Sequence, residues 1–284
     1  MKNFFIITNK GKEEAIKARD HLMDYLRERG AKVTADDTEY NPESVRFTDK
    51  SLVPDDTECI IVLGGDGTII HAAVDLKVLD IPILGINLGT LGYLSEADSA
   101  GMYEAVERLL KDDYSIKNRM MLYGRCFKDG YEMYGSSALN EVALVGVKPM
   151  QMIQVSIFVN DRFIHKYEAD GLIVATPTGS TGYNLSAGGP IVNPEAKTII
   201  ITPICSHAMH NRSIVFSPDD VVKIVVDEGR YGDSQDVLAV YDGAQEVPLS
   251  TGDEVIINQS DYSLGLIKLR EESFLDTLHH KLSD

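Results

Sequence analysis

Short apolar runs alternate with amphipathic segments over the first 111 residues. The run Phe4–Thr8 predicts a strand, and the apolar residues that follow recur at three- and four-residue spacing, which predicts a helix ending at Gly30. Further predicted elements are the strands Lys32–Ala35, Ile60–Leu63 and Ile83–Ile86, a helix at Ile69–Val78, and a helix at about Ser99–Lys111 capped by Asp98 or Ser99. This alternation is typical of a mainly parallel sheet with helices on its faces.

The pattern changes after about residue 120, where apolar runs are joined by short polar turns. The turns Lys128–Gly130 and Val159–Asp161 predict hairpins. Strands of the same style are predicted at Ile199–Thr202, Val221–Val226, Val237–Tyr241 and Val255–Ile257. The second half is therefore predicted to be all-β. The tail Glu272–Leu282 returns to a helical pattern, and we expect it to pack on the first domain because a lone terminal helix is unstable.

These changes divide the chain into three predicted parts. Residues 1–118 form an α/β domain, residues 119–262 form an all-β domain, and residues 263–284 form a strand and helix that pack back on the first domain. A length of 284 residues is above the size at which one hydrophobic core stops growing, so two domains are expected, and one large domain is the alternative.

Composition and charge narrow the classes of function. A formal net charge of −17 argues against nucleic-acid partners and against binding to an anionic membrane. A polyanionic small molecule must then bind locally, through backbone amides, helix N-termini or a divalent cation. The cysteines Cys59, Cys126 and Cys205 are far apart and odd in number, which predicts reduced thiols in the cytoplasm. The first apolar run is too short for a signal peptide, and no run could span a membrane.

The segment Gly64-Gly65-Asp66-Gly67-Thr68 directly follows a predicted strand and precedes a predicted helix. Its glycines let backbone amides approach a phosphate, and the helix behind adds unpaired N–H groups. Asp66 would repel phosphate, so its presence favours a role as proton acceptor or cation ligand. The alternative is an ordinary turn in which Asp66 caps the helix. The chain has neither GxxxxGK[ST] nor GxGxxG, which excludes a P-loop and the usual dinucleotide fingerprint.

A second dense segment runs from Asp170 to Pro190. An apolar strand leads into small hydroxyl residues and glycines, then Tyr183, then the pair Gly188-Gly189. Hydroxyls and exposed amides suit the riboses and phosphates of a nucleotide, and an aromatic ring can lie against adenine. The alternative is a long, turn-rich connection, but this composition favours a binding loop.

Four motifs together resemble those of NAD kinases in order and spacing. They are GGDGT at 64–68, Asn140-Glu141, DGLIVATPTGSTGYNLSAGGPIVNP at 170–194, and the stretch Thr202-Pro203 with His207 and Arg212. The resemblance implies a Rossmann- or flavodoxin-like α/β domain, an all-β domain, and a terminal helix that returns to the first. It also implies transfer of a phosphoryl group to the 2′-hydroxyl of the adenosine ribose of NAD, which makes NADP. ATP, another triphosphate or polyphosphate would be the donor, with Mg²⁺ or another divalent cation.

The resemblance also implies roles for individual residues. Asp66 matches the family's general base, and Gly67 matches a substrate-binding position within the phosphate loop formed with Gly64, Gly65 and Thr68. The other positions that match substrate contacts are Asn140, Glu141, Glu168, Asp170, Thr178, Thr181, Gly182, Tyr183, Asn184, Leu185, Ser186, Asp242 and Ala244. Tyr183 would lie against a base, and Asp242 would reach the site from this subunit or a neighbour. No carboxylate cluster has metal-ligand spacing, so the cation would be held largely by phosphates and water.

The chain departs from the family pattern at three positions. Gly182 stands where the family often has Ala, Ala244 stands where many members have Gln, and Glu168 stands where some have Arg. Two rival functions remain open: a kinase with the same loop that acts on a lipid base or a sugar phosphate, as related lipid kinases and phosphofructokinases do, and a non-catalytic NAD-binding sensor. Apolar edge strands in the β half are compatible with a homodimer or homotetramer.

Overall fold

The computed structural model describes residues 1–38, 48–89, 92–148, 151–206 and 212–270, together with Phe274 and Leu278. These residues form two compact units, one made of residues 1–119 and the segment from 262 onward, the other of residues 120–261. Apart from Phe274 and Leu278, the helix predicted at the C-terminus lies outside the described residues. No helix in the described ranges is long and apolar enough to cross a membrane.

The elements follow the chain in the order predicted, with strands and helices alternating first and strands dominating later. The helices are α1 (Glu13–Glu28), α2 (Asp66–Leu76), α3 (Met102–Leu110) and the single turn α4 (Tyr183–Ser186). The strands are β1 (Asn3–Thr8), β2 (Lys32–Ala35), β3 (Cys59–Leu63), β4 (Ile83–Asn87), β5 (Ala97–Asp98), β6 (Ser115–Lys128), β7 (Tyr131–Ala138), β8 (Glu141–Gly146), β9 (Ile153–Val159), β10 (Arg162–Ala169), β11 (Gly171–Ala175), β12 (Ile199–Ile204), β13 (Ile214–Phe216), β14 (Val222–Val226), β15 (Asp236–Tyr241), β16 (Gln245–Ser250) and β17 (Glu254–Lys268).

The first unit contains the predicted parallel sheet. Its strands lie in the order β2-β1-β3-β4, and the far end of β17 pairs in parallel with β4 through Leu266 and Ile83. All five residues of β3 and of β4 are buried, as expected for strands covered on both faces. The carboxyl ends of these parallel strands therefore share one edge of the sheet, where ligands of such folds bind.

The second unit is a sandwich of antiparallel strands. One sheet has the order β13-β12-β11-β8-β15-β16, and in the other β10, β9, β14 and the first part of β17 pair in turn. Alternate residues of the facing strands fill a common core, among them Leu144, Val174 and Ile224. The predicted hairpin turns are present, and Asp129 and Asn160 adopt positive φ angles of 51° and 50° within them.

Strand β11 is buried along its whole length because both of its faces are covered. Val174 faces the core of the sandwich, whereas Ile173 and Ala175 pack on the opposite face against Ala187 and Val192. Ala187 and Val192 belong to the glycine- and hydroxyl-rich segment singled out from the sequence. That segment thus folds back over the strand from which it emerges and covers the outer face of the sheet.

Two local predictions need correction. Helix α3 begins at Met102 with Gly101 as its N-cap residue, so neither Asp98 nor Ser99 is the N-cap residue; instead, Asp98 Oδ1 accepts a hydrogen bond from Gly101 N at 2.8 Å, just before the helix. The second half is not purely β, because α4 and a short 3₁₀ turn at Gly179–Thr181 lie within the predicted binding loop.

Candidate active site

The phosphate loop lies where the sequence predicts, between β3 and α2. Gly64 is the first residue after β3, and Gly65 is the N-cap residue of α2, with φ −85° and ψ 179°. The helix starts when Thr68 N and Ile69 N donate to Gly65 O, at 2.9 and 3.3 Å. No side chain in the described ranges caps this helix, and Gly65 and Gly67 are exposed. The N-terminus of α2 can therefore offer amides and a positive dipole to an anion.

Asp66 does not cap its own helix, so the alternative interpretation of this residue as a helix cap is wrong. Its carboxylate turns toward the segment that follows β4, where Oδ2 accepts from Tyr93 N at 2.8 Å. Oδ1 accepts from Leu94 N at 3.3 Å and from the Ser95 hydroxyl at 3.4 Å. A carboxylate has about four acceptor positions. The described residues use three of them, which leaves one for a donor from outside the described ranges, such as a ligand.

Gly92 makes this arrangement possible because it lies directly against the carboxylate. A Cβ at this position would be 1.9 Å from Asp66 Oδ1, far inside van der Waals contact. Only glycine lets the backbone of this segment approach the carboxylate closely enough for the Tyr93 amide to donate to it. The sequence analysis missed Gly92 and Tyr93, although their position after a parallel strand was a signal for them.

A cavity of about 460 Å³ opens beside Asp66 within the first unit. It is lined by the phosphate loop and by the residues that follow β1 and β4, including Asn9, Lys12, Asn87 and Tyr93. The cavity thus occupies the carboxyl edge of the parallel sheet. Its walls combine backbone amides, side-chain amides, one lysine and the carboxylates of Glu14 and Asp66, so they are polar and carry charges of both signs.

In the second unit, Asp242 ties together the Asn140-Glu141 pair. Its Oδ2 accepts from Leu139 N at 2.7 Å, and its Oδ1 accepts from Asn140 N and Glu141 N at 2.8 and 2.9 Å. Asp242 itself has a φ of 48°, in the left-handed region, and its own amide donates to Glu141 O at 3.0 Å. This carboxylate fixes the backbone of the pair that the sequence predicted as an NAD contact.

Thr176 anchors the start of the binding loop on the same backbone. Its hydroxyl donates to Leu139 O at 2.6 Å and accepts from Gly179 N at 3.0 Å, while its amide donates to Asn140 O at 2.8 Å. Gly179 then lies so close that a Cβ there would be 2.2 Å from Asn140 O. The loop and the Asn140-Glu141 pair are consequently one rigid assembly.

The end of the loop is closed by Asn184. Its side-chain amide donates to Ser180 O and to Pro190 O, each at 3.1 Å, and its Oδ1 accepts from the Thr202 hydroxyl at 2.7 Å. The side chain is fully buried. The hydrogen bonds of the Asn184 side chain are therefore all made within the described part of the protein, where they hold the loop in shape.

The other predicted residues of the loop differ in exposure and in hydrogen bonding. Tyr183 and Leu185 are exposed at 43% and 36%, large values for apolar side chains, and Ser186 is also exposed. Thr181 donates its hydroxyl to Thr178 O at 3.3 Å. The hydroxyl of Thr178 is buried and accepts or donates no hydrogen bond within the described ranges. Buried polar groups without partners are rare and are often completed by a ligand.

Electrostatics single out Glu141 in this assembly. Burial, and secondly the neighbouring charge of Asp242, raise the pKa of Glu141 to about 8. Burial also raises the pKa of Asp242, to about 6, although the hydrogen bonds from the three backbone amides oppose this shift. Glu141 Oε2 is buried and has no hydrogen-bond partner in the described part of the chain. A carboxyl group with a raised pKa and an unpartnered oxygen can donate a hydrogen bond when protonated and accept one when ionised.

We expect the ligand-free protein to lose stability as pH rises from about 4.5 to about 8. Glu141 and Asp242 hold protons more tightly in the folded state than in the unfolded state. The contribution of Glu141 is fully present below pH 4.5 and is lost as pH rises through its folded pKa of about 8, and that of Asp242 is fully present below pH 3.8 and is lost through its folded pKa of about 6. Glu141→Gln should remove most of this slope and raise the free energy of unfolding at pH 8.5 by about 2 kcal/mol or more. Urea unfolding at pH 5 and pH 8.5 measures the change.

The matched control for that substitution is Glu246→Gln, which makes the same change at an exposed position of β16. It should leave the pH dependence as it is in the parent protein. An equal pH slope in the parent and in Glu141→Gln would contradict the account of Glu141.

The remaining predicted residues have diverse surroundings. Asp170 is exposed. Burial raises the pKa of Tyr183, and the neighbouring charges of Cys205, Asp170 and Glu141 raise it further. These three groups therefore lie near the ring of Tyr183. Glu168 is partly exposed and pairs with Arg230 at 3.5 Å. Ala244 lies exposed in the turn between β15 and β16.

The stretch after β12 contains three further candidates from the sequence. His207 and His210 lie outside the described residues, and Arg212 is exposed. Within the described ranges, no cluster of three or more His, Cys, Asp or Glu residues could hold a metal ion.

Comparison with known proteins identifies both halves of the chain. The ATP-NAD kinase N-terminal domain model matches residues 4–114, and the ATP-NAD kinase C-terminal domain model matches residues 139–269. NAD kinases of Lachnoclostridium phytofermentans and Lachnospira eligens are 42% and 38% identical to this chain, over 100% and 99% of it and over 100% of each relative.

Solved structures agree in fold. A yeast NADH kinase complexed with NADH aligns with a TM-score of 0.83 at 24% identity, over 100% of this chain and 88% of that one. An NAD kinase from Archaeoglobus fulgidus in complex with ATP aligns with a TM-score of 0.74 at 25% identity, over 99% and 98% of the two chains. The two matching domain models and the full-length likeness to curated relatives show that this chain belongs to the NAD kinase family.

Proposed function

We propose that this protein phosphorylates the 2′-hydroxyl of the adenosine ribose of NAD, with ATP as the donor, to make NADP. Membership of the NAD kinase family supports the reaction. The observation that carries the mechanism is the Asp66 carboxylate, which lies in the first turn of a helix that no described side chain caps and accepts only three hydrogen bonds from the described residues. A protein that only bound NAD would have no use for a carboxylate inside a phosphate loop.

In this proposal Asp66 accepts the proton of the ribose 2′-hydroxyl. The hydroxyl oxygen forms a bond to the terminal phosphorus of ATP, the bond from that phosphorus to the bridging oxygen breaks, and ADP leaves with the electron pair. Amides at the N-terminus of α2, around Gly67, stabilise the charge on the transferred group. The hydrogen bonds from Tyr93 and Leu94 keep the carboxylate in one orientation, so little reorganisation is needed during transfer.

The second unit supplies the contacts for NAD in this proposal. Asn140 can read adenine edges or ribose hydroxyls because its amide both donates and accepts. The protonated form of Glu141 adds a donor, and its ionised form adds an acceptor. The exposed ring of Tyr183 provides a face for a base. We assign Asp170, Thr178, Thr181, Gly182, Leu185 and Ser186 to the same surface, and Asp242 and Asn184 to holding its shape.

We further propose that Mg²⁺ accompanies the donor. Of the described residues that line the cavity beside the phosphate loop, Glu14 carries a carboxylate that suits this hard cation, whereas Asp66 serves as the proton acceptor. The phosphates and water would supply the other ligands of the ion. When bound, the ion neutralises charge on the triphosphate.

We also propose that the protein is cytoplasmic and forms a homo-oligomer. The buried free thiols Cys59 and Cys126 suit the reducing cytoplasm. Exposed apolar side chains on the strands β10 and β13, such as Phe163 and Val215, support association into a homodimer or homotetramer.

One assay tests the reaction. Purified protein with Mg²⁺, ATP and NAD should produce NADP, detected by a dehydrogenase specific for that coenzyme. The rivals are tested in parallel with diacylglycerol, sphingosine and fructose 6-phosphate as acceptors, and with another triphosphate or polyphosphate as donor. Thermal stabilisation by NAD without NADP formation from any donor would support a binding protein and contradict the proposal. Turnover of a lipid or sugar phosphate in preference to NAD would also contradict it.

A further inference from the structure

The cavity beside the phosphate loop is lined by only one basic residue among those the structure describes, Lys12. The other charged residues that line it in the described ranges are Glu14 and Asp66, which are acidic. A phosphate chain placed here would be repelled by both carboxylates. The positive charge of the Lys12 ammonium group offsets that repulsion. Its position beside the cavity therefore affects phosphate binding more than the position of a surface lysine elsewhere.

Lys12 differs from the nearby Lys10, whose charge is already paired within the protein. The Lys10 ammonium lies 2.8 Å from Oδ1 of the buried Asp36 and also bonds the Thr38 hydroxyl. Lys12 forms no ion pair with any described residue, and its side chain is exposed. Of the two lysines, Lys12 is the one whose charge is available to a ligand.

The backbone of Lys12 is held in place by the end of β1. Asn9 Oδ1 accepts from Gly11 N at 3.1 Å, and Lys12 N donates to Asn9 O at 3.1 Å, which closes a tight turn. Lys12 is then the N-cap residue of α1, since its carbonyl accepts from Ala15 N at 3.0 Å. This turn fixes the lysine at the wall of the cavity, while its long side chain remains free to follow a ligand.

We propose that Lys12 is a positioning residue that binds a non-transferred phosphate of the phosphoryl donor. The inference rests on the proposed function, because the transferred phosphate must lie beside Asp66 and the amides of the phosphate loop. The rest of the donor's phosphate chain then extends into the cavity, which these residues share with Lys12. The pyrophosphate of NAD has the same chemistry, so the two sources are separated by kinetics.

The test compares Lys12→Gln with the parent enzyme. The substitution should raise KM for ATP by about 10- to 100-fold, as expected for loss of a charge-assisted phosphate contact, and should leave KM for NAD within about 2-fold. Inorganic tripolyphosphate should inhibit the parent enzyme competitively with ATP and should lose its inhibition by a similar factor in the variant. Inhibition by adenosine, which has no phosphate, should not change. Lys12→Arg should recover part of the affinity because it restores the charge.

Lys17→Gln is the matched control, since it removes the same charge from α1 at an exposed position outside the cavity, where Lys17 pairs with Glu13. A rise in KM for NAD rather than ATP in Lys12→Gln would assign the lysine to the NAD pyrophosphate and overturn the proposal. Unchanged ATP and tripolyphosphate affinities would overturn it as well. Tripolyphosphate binding, measured by calorimetry, needs no turnover, so it tests Lys12 even if the protein made no NADP and the proposed function failed.

Discussion

Asp66→Asn is expected to lower kcat for NADP formation by about 10²- to 10⁴-fold, because an amide cannot accept the proton of the attacking hydroxyl. NAD and ATP affinities should remain close to those of the parent, since the substitution keeps the size of the side chain. Stability should fall by only about 1 kcal/mol, because the new NH₂ group faces backbone N–H donors of Tyr93 or Leu94 and one hydrogen bond is lost. Steady-state kinetics measures the loss of kcat, and urea unfolding measures the loss of stability.

Ser95→Ala provides the control for that loss of hydrogen bonding. It removes a 3.4 Å hydroxyl contact to the same carboxylate and leaves the proton acceptor in place. Its kcat should stay within about 5-fold of the parent value. Full activity in Asp66→Asn would eliminate Asp66 as the base, and an equal loss of kcat in both variants would assign the effect to loop geometry.

Gly179→Ala should strongly destabilise the binding loop. The added Cβ would be 2.2 Å from Asn140 O, a backbone atom that the Thr176 amide already holds at 2.8 Å. Neither side can move without breaking the assembly around Asn140. Overpacking of this kind costs about 2–3 kcal/mol, and the displaced loop should also raise KM for NAD by about 10-fold or more. Thermal unfolding and steady-state kinetics measure the two consequences.

Gly182→Ala adds the same methyl group three residues later and serves as the comparison for stability. Its Cβ would meet Gly179 O, Glu141 Oε2 and Asn140 Nδ2 at 3.3 to 3.5 Å, a tight but tolerable contact, and alanine is common at this position in the family the sequence resembles. The free energy of unfolding should change by less than about 1 kcal/mol. Similar destabilisation by both substitutions would show that the close approach to Asn140 does not govern the loop.

Much of the fold could be predicted because local pattern and tertiary packing agree. The apolar runs at β1, β3 and β4 are short and bounded by turn residues, and they are strands in the structure. The resemblance to NAD kinases also implied the correct family. The start of α3 was placed wrongly because Asp98 and Ser99 are both common N-cap residues, whereas the chain uses Asp98 to bond the amide of Gly101 and begins the helix afterwards.

The sequence located the motifs but not the contacts among their residues. Asp66 followed from a short motif with a mechanism, whereas the Asn140-Glu141 pair followed only from the resemblance to NAD kinases, and the roles of these residues in binding stay predictions. The hydrogen bonds from Tyr93 and Leu94 to Asp66 join residues 27 and 28 positions apart, and the bonds to Asp242 span more than 100. Such contacts depend on how strands are arranged in the sheet, which periodicity does not specify. For that reason Gly92 and Lys12 escaped the sequence analysis, and the limits of the three predicted domains stay a prediction.

The way residues 183–192 cover the outer face of β11 has a consequence for the entropy of ligand binding. To open, this loop would have to expose Ile173 and Ala175 to water and break the bonds that Asn184 makes to Ser180, Pro190 and Thr202. Under the proposed function, the surface of this loop is therefore already ordered before NAD binds. Because few backbone torsions remain to be frozen, binding loses little conformational entropy of the loop.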